Sequence, residues 1–124
     1  MTGGHGNKMK FEEKSPPRVY SPLEGIVISD CGELQLESDE QISLRDASGK
    51  PDFDILKKPW GYYLGNSLNR TMLRNGLRLA LVESRAGTEA SYYLNAVYEN
   101  QVDAFEDYLR EFDSRVVTWL GEPE

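Results

Sequence analysis

The order of strand-like and helix-like patterns between residues 60 and 120 constrains the fold of this chain more than any other feature. Strands show as aromatic or alternating apolar residues, and helices show as apolar residues that recur every three or four positions. Six such segments follow one another at 60–64, 66–75, 77–84, 88–98, 100–112 and 115–120. The order is therefore strand, helix, strand, strand, helix, strand.

This order predicts an α+β fold with an antiparallel sheet of the split βαβ type, the ferredoxin-like βαββαβ arrangement, over residues 60–120. Both helices are expected on one face of the sheet. Because crossover connections are right-handed, strands 60–64 and 90–98 are expected side by side at the centre of the sheet. The other two strands are then expected outside them.

The part of the chain before this series predicts further strands. Residues 32–46 contain two alternating segments with a tight connection at 38–40, which predicts a hairpin within an N-terminal β-meander at 23–46. Residues 1–22 are rich in Gly, Lys, Glu and Pro and lack periodicity, so we expect a disordered tail there. The remaining length fits a single α+β domain, over residues 23–124.

The net charge of −7 is unevenly distributed along the chain. Residues 55–85 hold six basic residues and one acidic residue, whereas the segments on either side are acidic. An acidic protein repels polyanions at long range, so nucleic acid is an unlikely partner. No run approaches the roughly 20 apolar residues that span a bilayer, so we expect no membrane association. The first residues lack the apolar segment of a secretory signal, and the single Cys31 agrees with a cytoplasmic location.

The basic block predicts a site for an anion on the first helix. On a helical wheel, Arg70 and Arg74 lie opposite the apolar residues, one turn apart, and Arg78 follows shortly after. Guanidinium groups bind carboxylates and phosphates through paired hydrogen bonds. Asn66 and Ser67 precede the helix, where free backbone N–H groups also favour an anion. Alternatively, the arginines form a solvated face that pairs with acidic side chains of the same chain, and Asn66 and Ser67 only cap the helix.

These residues predict a small non-catalytic binding or accessory domain that recognises a protein partner or an anionic small molecule through a basic helix face. A homodimer is also expected, in which the basic middle of one copy faces the acidic last helix of another, so that salt dissociates it. No cofactor is expected, and one Cys and one His are too few for a zinc site.

Two other functions stay open. One is an enzyme that acts on a phosphorylated or carboxylated small molecule. The other is RNA binding, because several tyrosines lie on predicted strands of a fold that RNA-recognition domains also use. The basic-Gly-aromatic pattern of those domains is absent from residues 88–98, which makes RNA binding the weakest of the three.

Overall fold

A computed structural model of the chain describes residues 9–121. Within this range the elements are β1 (Lys10–Tyr20), β2 (Ile28–Gln35), β3 (Gln41–Arg45), β4 (Pro51–Lys58), β5 (Gly61–Leu64), α1 (Thr71–Arg74), β6 (Leu77–Ser84), β7 (Ser91–Tyr98), a 3₁₀ turn (Glu99–Gln101), α2 (Val102–Glu111) and β8 (Ser114–Leu120). The class is α+β with mostly antiparallel sheets, 52% strand and 15% helix, so the sheets dominate the architecture.

The strands form three sheets, with the orders β1-β2, β3-β4-β5 and β7-β6-β8. By their contacts the described residues group into two compact units. The first comprises positions up to 41 together with 56–63, and the second comprises 42–55 together with positions from 64 onward. The prediction of a single domain over 23–124 stays a prediction.

In the first unit, β1 forms an antiparallel ladder with β2 in the region where the sequence predicts a disordered tail. The register shifts between Glu13 and Arg18, and Pro16 and Pro17 fall inside this irregular segment. Proline lacks the N–H that a ladder needs, and here the two prolines interrupt the strand without removing a paired donor. The predicted tail is therefore wrong for residues 10–20, and residues 1–8 lie outside the described range.

The ladder is supported by an ion pair and by a close backbone approach. The Lys14 ammonium lies 2.7 Å from a carboxylate oxygen of Asp30, and Arg18 lies 3.2 Å from the same oxygen. At Gly32, with φ 154°, a Cβ atom would come within 2.4 Å of the Glu12 carbonyl oxygen. Only glycine lets the two strands come this close without a shift of the backbone.

The predicted hairpin across residues 38–40 is wrong. Strand β2 pairs with β1, and β3 belongs to the sheet with β4. The reason is visible in the backbone at the predicted turn, because Asp39 donates its N–H to the Lys57 carbonyl and Lys57 donates to the Glu40 carbonyl. A local turn is present, because the Glu40 N–H donates to the Glu37 carbonyl at 3.2 Å, but the strands on either side of it pair with other strands and not with each other.

In the second unit, β6 is the central strand of its sheet and is buried on both faces. On one face Leu77 and Leu79 pack with Met72 of α1. On the other face Ala80 and Val82 pack with Leu109 of α2. Since successive side chains of a strand alternate between its faces, the two helices lie on opposite faces of β6.

The strand order differs from the predicted split βαβ arrangement. Strand β5 belongs to another sheet, and β6 rather than β7 lies between two neighbours. Helix α1 has only four residues, about 6 Å of helix, which is too short to cross a sheet face as the prediction requires. The predicted end of this helix is confirmed, because Asn75 is its C-cap and Gly76 follows with φ 83°.

The β6–β7 hairpin and α2 are confirmed. Strands β6 and β7 pair in antiparallel register from Leu77 opposite Tyr98 to Ser84 opposite Ser91. Strand β8 pairs with the other side of β6, and its register shifts at Leu81 and Val82. This three-stranded sheet carries the surfaces described below.

Candidate functional site

Asn66 and Ser67, predicted near a helix N-terminus, have local structural partners. The Asn66 side chain accepts a hydrogen bond from the Asp54 N–H at 2.6 Å and donates to the Asp54 carboxylate at 3.2 Å. The Ser67 hydroxyl accepts a hydrogen bond from the N–H of Thr71 at 3.1 Å. Both side chains thus fix the connection from β5 to α1.

Arg70 and Arg74 are exposed at the two ends of α1, and Arg70 is the N-cap rather than a helical residue. The Arg70 carbonyl accepts the N–H of Arg74 at 2.9 Å, so the two residues are one turn apart. The Arg74 guanidinium donates to the Thr71 hydroxyl at 3.1 Å. Within residues 9–121, neither guanidinium forms an ion pair with a carboxylate.

Arg78 occupies a different place from the other two predicted arginines. It is half-buried, and its guanidinium carbon lies 4.3 Å from the centre of the Trp119 ring. Trp119 packs in the cluster with Ala80 and Leu109, on the α2 face of β6. Helix α1 packs on the opposite face, so Arg78 does not extend the surface formed by Arg70 and Arg74.

An ionic cluster that was not expected from the sequence surrounds Glu83, a residue only 4% exposed. The Tyr92 hydroxyl donates to this carboxylate at 2.9 Å, and the Arg115 Nε donates at 3.1 Å. Arg85 donates through two nitrogens, each at 3.3 Å. Glu83 lies opposite Tyr92 on β7 and opposite Arg115 on β8, so the cluster ties the three strands together in one row.

The ionisation of this cluster follows from its hydrogen bonds. The hydrogen bond from Tyr92 is the largest cause that lowers the pKa of Glu83. The hydrogen bond and the charge of Arg85 lower this pKa further, whereas burial raises it. The bond to Glu83 and its negative charge raise the pKa of Tyr92. At neutral pH the cluster therefore contains a carboxylate, a protonated phenol and two guanidinium groups.

One sequence signal could have revealed this cluster. Leu77, Leu79 and Leu81 alternate along the segment, and the same alternation places Glu83 on their face. A glutamate at a position predicted to be buried needs a charged partner, and Arg85 follows two residues later. The contribution of Arg115 depends on the pairing of β8 with β6, which periodicity does not reveal.

A polar cleft of about 470 Å³ lies at the other end of β7, lined by Asp46, Lys50, Gly76, Tyr98, Glu99, Asn100 and Gln101. The Tyr98 hydroxyl donates to Asp52 Oδ2 at 2.8 Å, and this bond raises the pKa of Tyr98. Asp52 Oδ1 is buried and has no hydrogen-bond partner among the described residues. Carboxylates at and beside the cleft make it a poor site for an anion.

Strand β7 presents a row of exposed apolar and aromatic side chains. Tyr92, Tyr93 and Leu94 are 59%, 56% and 60% exposed. In the part of the chain that the structure describes, β7 is an edge of its sheet, with β6 as its neighbour on one side. Exposed apolar side chains grouped on an edge strand are typical of a contact surface.

Other features give no further site. Within residues 9–121, no group of three or more His, Cys, Asp or Glu side chains could hold a metal ion, and no helix is long and apolar enough to cross a membrane. Cys31 is exposed, and its thiol donates to the Ser29 carbonyl at 3.6 Å.

Comparison with known proteins gives no relative for this chain. No protein-family model matches it, and no curated protein or solved structure is significantly similar to it.

Proposed function

We propose that this chain is a non-catalytic binding domain that holds an anionic group against Arg70 and Arg74. The anionic group is a carboxylate or phosphate, carried either by a small molecule or by the surface of a protein partner. The observation that supports this best is the pair of exposed guanidinium groups, one turn apart, without a carboxylate partner within residues 9–121.

Two cations one helical turn apart repel each other by about 0.2–0.5 kcal/mol in water. An oxyanion between them removes this repulsion and gains charge-assisted hydrogen bonds. Arg70 is the stronger contributor, because its guanidinium has no hydrogen-bond acceptor among the described residues whereas Arg74 already donates to Thr71.

The backbone that carries the two arginines is fixed by its own packing. Met72 lies between them in sequence and is fully buried against Leu77 and Leu79 of β6. Asn75 donates its side-chain N–H to the Asp52 carbonyl at 2.9 Å, which holds the end of the helix. Preorganised donors lose less entropy when a ligand binds.

The proposal assigns binding rather than catalysis to these residues because a guanidinium stays protonated at neutral pH and transfers no proton. Arg78, which the sequence analysis placed in the same site, is left out because it stacks on Trp119 on the α2 face. A reducing compartment such as the cytoplasm is the location that the proposal assumes.

The test is a two-dimensional ¹H–¹⁵N NMR titration with inorganic phosphate, with citrate, and with a peptide rich in glutamate. We expect saturable shifts at residues 66–76 with at least one of the three. The double variant Arg70→Gln/Arg74→Gln should lose them. The control is Arg110→Gln, which removes the same kind of charge from α2, where Arg110 pairs with Asp107, and should keep them.

The three ligands distinguish the sources of the anion. Saturation by phosphate or citrate favours a small molecule, and saturation by the peptide alone favours a protein partner. Shifts that grow linearly with concentration, or that survive in the double variant, would remove the support for this site. Chemical conversion of the added compound would show that the enzyme alternative is right.

A further inference from the structure

We infer that β7 pairs with β7 of a second copy of this chain, so that two sheets join into one across a twofold axis. This inference concerns a different surface from the arginine site. Among residues 9–121, the order β7-β6-β8 leaves one side of β7 without a neighbouring strand. In an antiparallel pair every second residue directs its N–H and C=O groups away from its partner, and β7 directs these groups outward.

Strand β7 lacks the features that protect a sheet edge in a monomer. Its eight residues, SYYLNAVY, include no charged residue and no proline. Edges of monomeric proteins are usually protected by charged residues, prolines or bulges. The opposite edge of the same sheet, β8, carries Arg115 and a register shift opposite Leu81 and Val82. The contrast between the two edges singles out β7 as the contact strand.

The side chains of β7 match a second copy of the strand. In an antiparallel pair centred on Asn95, Leu94 lies opposite Ala96 of the copy, and Tyr93 lies opposite Val97 of the copy. Aromatic residues opposite β-branched residues are favourable cross-strand pairs. The pairing keeps all apolar side chains beside apolar side chains and covers Tyr92, Tyr93 and Leu94, which are exposed in one copy.

No charged residue lies within the joined strands, because β7 holds none. The nearest charged residues in the chain are Glu89 before the strand and Glu99 after it, and both are exposed. Salt screens exposed carboxylates at the ends, so they do not prevent the pairing.

Salt separates this dimer from the dimer predicted by the charge blocks of the sequence. A contact between the basic middle of one copy and the acidic α2 of another weakens as salt rises. The β7 pairing has an uncharged centre, and each copy carries a net charge of −7. Salt screens the repulsion between copies, so the β7 dimer should persist or become tighter.

The test is sedimentation equilibrium of the full chain up to about 200 µM, in about 50 and about 500 mM NaCl. We expect a monomer–dimer equilibrium that survives in high salt. Leu94→Lys should weaken the dimer at least about tenfold, because it places two lysines near each other across the joint. The control is Val117→Lys, at an exposed position on β8, which should dimerise like the natural chain.

Folding is checked for each variant by circular dichroism, and Tyr93→Lys replaces Leu94→Lys if the latter unfolds. A chain that stays monomeric at all concentrations overturns the inference. The remaining partner for the β7 edge would then be a strand of another protein. A dimer that dissociates in high salt, or one that Leu94→Lys and Tyr93→Lys leave intact, also overturns it. If Val117→Lys weakens the dimer as much as Leu94→Lys does, the contact between copies is not made by β7 and the inference is wrong.

Discussion

Replacing Met72 by alanine tests whether α1 is held in place by its packing on β6. Met72 is the one fully buried large side chain among the described residues, and it packs with Leu77 and Leu79. Removing a buried methionine side chain costs about 2–5 kcal/mol, from the lost transfer free energy and the cavity left behind. A four-residue helix has no stability of its own that could limit this loss.

We expect Met72→Ala to lower the free energy of unfolding of the second unit by about 3 kcal/mol, measured by urea denaturation. The control is Met9→Ala, at an exposed position in the first unit, with a change below about 0.5 kcal/mol. Because Met72 lies between Arg70 and Arg74, any anion binding at residues 66–76 should weaken as well. A loss below about 1 kcal/mol would refute the reasoning that α1 is anchored through this side chain.

Two further predictions concern the Glu83 cluster and the β1–β2 ladder. The folded pKa of Glu83 is lowered, so its stabilisation is present above the ordinary glutamate pKa of about 4.3 and is lost as the pH falls through the folded value. Glu83→Gln should therefore lower the melting temperature at pH 7 and differ less from the natural chain in acid, whereas Glu89→Gln, at an exposed position, should leave the melting temperature at pH 7 unchanged. Gly32→Ala should disrupt the ladder, because its Cβ would meet the Glu12 carbonyl oxygen at 2.4 Å, and amide exchange of β1 should accelerate. At Gly25 an added Cβ would meet no atom, so Gly25→Ala should leave the ladder intact. It should lower the free energy of unfolding by about 1–2 kcal/mol, because alanine is strained at a positive φ.

The sequence predicts the elements whose own residues carry a strong local pattern. Helix α2 has an apolar stripe along its length, and β6 and β7 are rich in apolar and aromatic residues bounded by turn residues. Strand β1 was missed because its residues are largely charged, show no alternation and include Pro16 and Pro17. Local periodicity reports which residues can form a strand, and a ladder such as β1–β2 depends on a partner distant in sequence.

The order of strands could not be predicted for the same reason. Residues 77–84 are apolar on both faces, which is typical of a central strand, but the predicted topology placed them outside. Within the candidate site, the exposure of Arg70 and Arg74 agrees with the prediction. The stacking of Arg78 on Trp119 and the position of Arg115 beside Glu83 depend on the pairing of β8 with β6.

Amide hydrogen exchange along β7 as a function of protein concentration tests most directly the claim that β7 is a free edge and β6 the central strand. In dilute protein we expect the amides of β6 that bond to its neighbours to be protected, while every second amide of β7 exchanges rapidly. At high concentration those β7 amides should become protected as copies pair. Protection of all β7 amides at every concentration would contradict the account, because it would place the strand between two neighbours of the same chain, as in the split βαβ order.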